Sequence, residues 1–119
     1  MTGLEYAVLG LRQAIEAPRR HHVWRWLVRH RMAAVKEALK AEHAHGGDGW
    51  LAARESGLIR DRDVLLRRLG ELGPHVLENP DADSVRADLL RLLSDLDRHR
   101  QRLSDLVYDS VSMELGGSE

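Results

Sequence analysis

The sequence contains no cysteine, which excludes disulfides, thiolate metal sites, cysteine-bound iron–sulfur clusters and cysteine nucleophiles. Phenylalanine is also absent and only 4% of the residues are aromatic, a composition that disfavours β-sheet and favours helix. No apolar run approaches the ~20 residues of a membrane span, and the N-terminal residues lack a basic-then-apolar signal. We therefore expect a cytoplasmic protein without a membrane span.

Strong charge of one sign is missing as well. Eighteen Lys and Arg residues oppose 19 Asp and Glu residues, so that the formal net charge of the 119-residue chain is −1. Bulk electrostatics therefore do not call for nucleic acid or an anionic membrane as a partner. The length and the 43% hydrophobic content suit one domain, residues 1–119, with its own core.

The clearest positive signal is apolar spacing of three and four residues, which is typical of amphipathic helices. It is longest in the last third of the chain, at Val85, Leu89, Leu92, Leu96, Leu103, Leu106 and Ser110. The same spacing, with Pro18 and Gly73-Pro74 as stops, predicts helices over about 3–17, 22–43, 50–72 and 83–115. Four helices with short links predict an all-α, up-down-up-down four-helix bundle.

Three charged residues index to the inner faces of these helices: Arg31, Glu55 and Arg62. Burying a charge is costly unless it is paired and hydrogen-bonded. One interpretation, which we favour, is a buried polar network that fixes the register of the helices. The alternative is an interior pocket for an anionic ligand, clamped by arginine, with His99 about one turn deeper.

The seven histidines bear on metal binding, because bundle proteins hold metals on inward-facing side chains. His99, near the middle of the last helix, is the best single candidate. The interpretation that we favour is a partly buried histidine that is hydrogen-bonded to a carboxylate or carbonyl. The alternative is that His99 is a metal ligand. His43 and His45 offer a second, surface site; the simpler interpretation is a solvated loop.

The segment around residues 19–31 interleaves tryptophan with arginine, as membrane-surface and nucleic-acid binders do. We expect Arg25 and Arg29 on the outer face of the second helix, and Trp26 half exposed. Because the Trp24 face is needed to cover the core, a structural helix with a basic outer stripe is favoured. Exposed Trp26 and Tyr108 are candidates for a partner surface, since aromatics are enriched at interfaces.

Three features resemble divergent bacterial hemerythrin-like bundle proteins: the helix around residues 24–39, the link EHAHGGDG at 42–49 and the charged third helix. Above all, the segment HRQRLSDLVYD at 99–109 resembles the last helix of these proteins. The resemblance implies a four-helix bundle whose core binds non-haem iron, with roles in oxygen, nitric oxide or iron sensing or storage. It places metal ligands at His99, His43 and Asp61. The His-x-x-x-Glu pairs of that family are absent, which favours a bundle that kept the fold and lost the di-iron site.

No phosphate-binding loop, nucleophile–base order or convincing carboxylate pair is present, so we expect no enzyme activity. The sequence therefore predicts a non-catalytic binding or regulatory module that associates with itself or with another protein and has no certain cofactor. Two alternatives stay open. One is a metal protein that uses iron at His99; the other is a nucleic-acid or membrane binder through the basic face of the second helix.

Overall fold

A computed structural model describes residues 2–18, 21–42 and 50–117, with side chains for all of these except 21, 22, 50–52 and 113–117. Its four helices are α1 (Gly3–Glu16), α2 (His21–Lys40), α3 (Trp50–Glu78) and α4 (Ala82–Gly117). The described residues contain no strand, which confirms the all-α prediction. None of these helices is long and apolar enough to cross a membrane.

The helices form two layers, one of α1 and α2 and one of α3 and α4. Each helix contacts two others, in the pairs α1–α2, α2–α3, α3–α4 and α1–α4. Neighbours run antiparallel: the indole of Trp24, early in α2, donates to the carbonyl of Ile15, late in α1, at 3.3 Å. Along α3 and α4, Arg68 pairs with Asp95 at 2.5 Å and Arg54 with Asp109 at 2.6 Å.

The core consists of leucine and valine stripes from all four helices, which remove apolar surface from water. Its fully buried members include Leu11, Ile15, Val28, Val35, Leu39, Leu65, Val76, Val85, Leu89, Leu92 and Leu96. A second, smaller cluster joins Leu58 and Leu106, with Leu103 packed against it, between α3 and α4 alone.

The predicted end of the third helix at Gly73-Pro74 is wrong, because α3 continues to Glu78. A proline inside a helix removes one backbone hydrogen bond and crowds the preceding turn. Packing outweighs this cost, since Val76 is completely buried two residues later. The Arg25 guanidinium also donates to the carbonyls of Val76, at 3.0 Å, and Asn79, which stabilises the last turn.

Helix α1 begins at Gly3 because a capping box satisfies its first amides. The Thr2 hydroxyl accepts from the amide of Glu5, and the Glu5 carboxylate accepts from the amide of Thr2. This cap lies close to the level of Arg100 on α4, whose guanidinium is 3.9 Å from the Glu5 carboxylate. Helix α2 ends at Lys40, two residues before the Glu42 carboxylate that contacts His99.

Helices α3 and α4 therefore extend beyond the ends of α1 and α2. We call residues 50–59 of α3 and 104–117 of α4 the overhang. At 1.5 Å per residue, the α4 part projects by roughly 20 Å and the α3 part by roughly 15 Å. The molecule is 60 Å long and about 20 Å across, so its overhang is a large part of its length.

Candidate functional site

His99 is the one polar side chain among the described residues that is completely buried. Its Nδ1 atom lies 2.7 Å from Oδ2 of Asp61 on α3. Its Nε2 atom lies 3.1 and 3.0 Å from the two carboxylate oxygens of Glu42, just beyond α2. His99 thus connects three segments of the bundle at the level where α2 ends.

The two carboxylates favour the doubly protonated form of this imidazole. A neutral imidazole has one N–H donor and one acceptor nitrogen, so that one ring nitrogen would face a carboxylate without a proton between them. Burial lowers the pKa of His99, but hydrogen bonds and charge from Glu42 and Asp61 together raise it above the ordinary value of 6.5. An imidazolium donating from both nitrogens satisfies every partner.

This geometry does not resemble a metal centre. The ligands of a metal ion all point at one position. Asp61 and Glu42 instead lie against opposite nitrogens of the ring, so their oxygen atoms are on different sides of it and share no such position. Among the described residues, no three histidine, aspartate or glutamate side chains are arranged to hold an ion. Of the predicted ligands, His99 and Asp61 are in contact, and His43 lies outside the described residues.

The predicted network of inward charges differs from the observed one. Arg62 is partly buried and donates to the backbone carbonyl of Glu42 at 3.3 Å. Its Nε has no hydrogen-bond partner in the described structure and lies 3.9 Å from the Asp63 carboxylate. Glu55 is also partly buried. The prediction for Arg31 is wrong: its side chain is exposed and lies against Gly10 of α1, where the missing side chain leaves room for it.

Next to His99 lies the second candidate site, a groove with a volume of about 710 Å³ between the start of α1, the end of α2 and α4. Glu42, Glu5 and Arg100 lie along its polar edge. Most of its lining is apolar: Leu4, Ala38, Leu103, Val107, Tyr108 and Val111. Tyr108 is 73% exposed and Val111 is 50% exposed, so this end of α4 presents apolar surface without a neighbouring described helix to cover it.

The basic face of α2 is partly used within the bundle. Arg25 binds the end of α3, as described above, and the guanidinium of Arg29 lies directly over Gly73 of the same helix. Trp26 is 64% exposed, more than predicted, and stacks on His30 with ring centroids 5.5 Å apart. Of the residues predicted to form a partner surface, Trp26 lies on α2 and Tyr108 on α4.

Comparison of the chain with family models, curated proteins and solved structures finds no match in any of the three. The resemblance to hemerythrin-like bundles therefore stays a prediction.

Sequence reasoning did not assign Glu42 as a partner of His99. A signal for it exists, because Glu42 follows Val35 and Leu39 at spacings of seven and three and so continues the inner stripe of α2. Asp61 likewise lies between Leu58 and Leu65 at spacings of three and four. The groove has no such signal, since it depends on where the ends of three helices meet.

Proposed function

We propose that this protein is a non-catalytic helical module that works by self-association, with a second copy of the chain bound to the overhang. The observation that carries the proposal is the overhang itself, because two of the four helices end while the other two continue. The apolar face that α3 and α4 turn toward α1 and α2 then loses its cover. Exposed Tyr108 and Val111 belong to this open face.

The burial of His99 is consistent with a non-catalytic role. Catalytic acids and bases must reach the proton that they transfer. In the described part of the chain, the most perturbed titratable group is His99, which is completely buried and engaged at both nitrogens. A group in this position stabilises the bundle and does not contact a bound substrate.

A second copy suits the overhang because it supplies two helices, the number needed to complete a four-helix section. The α4 part of the overhang is about 20 Å long and the α3 part about 15 Å, so at ~10 Å per helix each copy contributes a footprint of ~350 Å². With the groove at its base also filled, the total approaches the ~1,000 Å² lower limit for a specific interface. We therefore expect a reversible dimer of micromolar or weaker affinity.

The test is sedimentation equilibrium of the untagged protein from micromolar to millimolar concentration. We expect a monomer–dimer equilibrium. Val111→Asp, which places a charge on the open face, should weaken dimerisation by at least about tenfold. Tyr108→Ala, a second variant that adds no charge, should weaken it in the same direction.

The matched control is Val64→Asp, the same substitution at a 42% exposed site on α3 outside the overhang. It should dimerise like the original protein, and circular dichroism should show equal helix content in all variants. A protein that stays monomeric at millimolar concentration refutes the proposal. A dimer that responds equally to Val64→Asp and Val111→Asp places the contact elsewhere and also refutes it. Occupation of the groove by residues 43–49 of the same chain would give a monomer, and this outcome also refutes the proposal.

A further inference from the structure

We infer that the two copies pair antiparallel, overhang against overhang, about a two-fold axis perpendicular to the long axis of the molecule. The inference rests on the proposed self-association and adds the arrangement of the partner. The paired overhangs would form a second four-helix section, continuous with the bundle of each copy.

Steric overlap rules out a parallel arrangement of the two copies. The open face of each overhang points to the side on which α1 and α2 of the same copy lie, because α1 and α2 form the other layer of the bundle. Packed helices lie 8–10 Å apart. In a parallel pair with the open faces in contact at that distance, the α1–α2 layers of both copies would occupy the same space. Parallel pairing through this face is therefore excluded.

Antiparallel pairing removes that clash. The overhang of one copy then lies end to end with α1 and α2 of the other copy. It fills the space beyond the ends of these two helices, which no described helix of that copy occupies. Its tip reaches the groove between Leu4, Ala38 and Val107, so the groove at each end of the shared section is filled by the partner. Because the same surface is used on both copies, the assembly closes at two chains.

The charge along α4 favours the same orientation. Between residues 98 and 114, the arginines come first, at 98, 100 and 102, and the acidic residues follow, at 105, 109 and 114. Some of these charges already have partners within one copy, Arg100 with Glu5 and Asp109 with Arg54. Antiparallel pairing adds to these contacts, because it sets the positive start of this stretch beside the negative end of the partner's stretch. Parallel pairing would set like charges side by side, which disfavours association.

The arrangement predicts a particular length. Each molecule is 60 Å long. Two molecules that overlap by ~20 Å, the rise of the overhanging part of α4, form a rod of roughly 100 Å. A side-by-side dimer has the length of one molecule. The maximum dimension therefore distinguishes the two arrangements, whatever the affinity.

The experiment is small-angle X-ray scattering of the original protein at a concentration where sedimentation shows dimer. Val111→Asp, at a concentration where sedimentation shows it to be monomeric, provides the monomer reference, and Val64→Asp provides a dimer reference with the same type of substitution. We expect a maximum dimension that is larger than that of the monomer by roughly two thirds.

The outcomes separate this inference from the proposed function. A dimer no longer than the monomer reference overturns antiparallel pairing and leaves self-association in place. Species that grow beyond two chains with concentration overturn it as well, because they require a contact between unlike surfaces. A monomer at every concentration refutes the proposed function, and the inference with it.

Discussion

Replacing His99 with alanine should destabilise the protein by about 3 kcal/mol. The change removes the cation that lies between Glu42 and Asp61 and leaves a cavity in its place. Breaking a buried ion pair by removing one partner costs about 3–5 kcal/mol. The lower end applies because the Asp61 side chain is 32% exposed and water will solvate it, whereas Glu42 is only 10% exposed. Against a typical total of about 5–15 kcal/mol, this is a large loss.

The free energy of unfolding should also depend on pH through the protonation of His99. The pKa of His99 in the folded protein is raised above 6.5, since Glu42 and Asp61 outweigh the opposing effect of burial. Between pH 6.5 and the folded pKa, the folded state retains a proton that the unfolded state has lost. The free energy of unfolding should therefore fall as pH rises through this window, by at most about 1.4 kcal/mol per pH unit. His99→Ala should lose this slope.

Urea unfolding followed by circular dichroism, at a pH below 6.5 and again well above it, measures both effects. His75→Ala is the control, because His75 contacts Asp88 at 3.2 Å but is partly exposed. We expect it to cost less than about 1 kcal/mol. The reasoning fails if His99→Ala is as mild as His75→Ala, or if it unfolds with the pH dependence of the original protein.

Three further outcomes are expected. Arg25→Ala should lower the free energy of unfolding by about 1–2 kcal/mol in the same assay, because carbonyls at the end of α3 lose a charged donor. Gly57→Ala should raise the free energy of unfolding by about 0.5–1 kcal/mol, since nothing lies within 4 Å of the added methyl. Gly73→Ala should raise it less, because the added methyl would lie 2.8 Å from the Arg29 guanidinium. Elemental analysis of untagged protein should find no stoichiometric iron, and two irons per chain would instead favour the hemerythrin-like alternative.

The fold could be predicted because each helix carries its own periodic stripe, and periodicity is a local property. The starts of α1 and α3 and the long α4 follow from it directly. The end of α3 could not be predicted, because Gly73-Pro74 is a strong local stop that only tertiary contacts override. Burial of Val76 and binding by Arg25 both come from packing partners that are distant in sequence.

The candidate site was only partly predictable for a related reason. The inward position of His99 follows from its spacing with Leu96 and Leu103, but its partners depend on the register between helices. Arg31 indexed to the inner face of α2, yet the gap at Gly10 allows its chain to lie along the surface. Lengths of single helices can be estimated from sequence, whereas the point at which α1 and α2 stop beside α4 cannot.

The position of His99 at the end of the four-helix section divides the chain into two regions of unequal local stability. On one side, each helix has two neighbours, so we expect its backbone amides to open mainly with global unfolding. On the other, α3 and α4 have one another and a small cluster of Leu58, Leu103 and Leu106. With two helices fewer, the overhang should open more readily than the bundle, and the proposed pairing of two copies should protect it from hydrogen exchange. The imidazolium marks the boundary between the two regions, because it ties α4 to Asp61 of α3 and to Glu42 beyond α2.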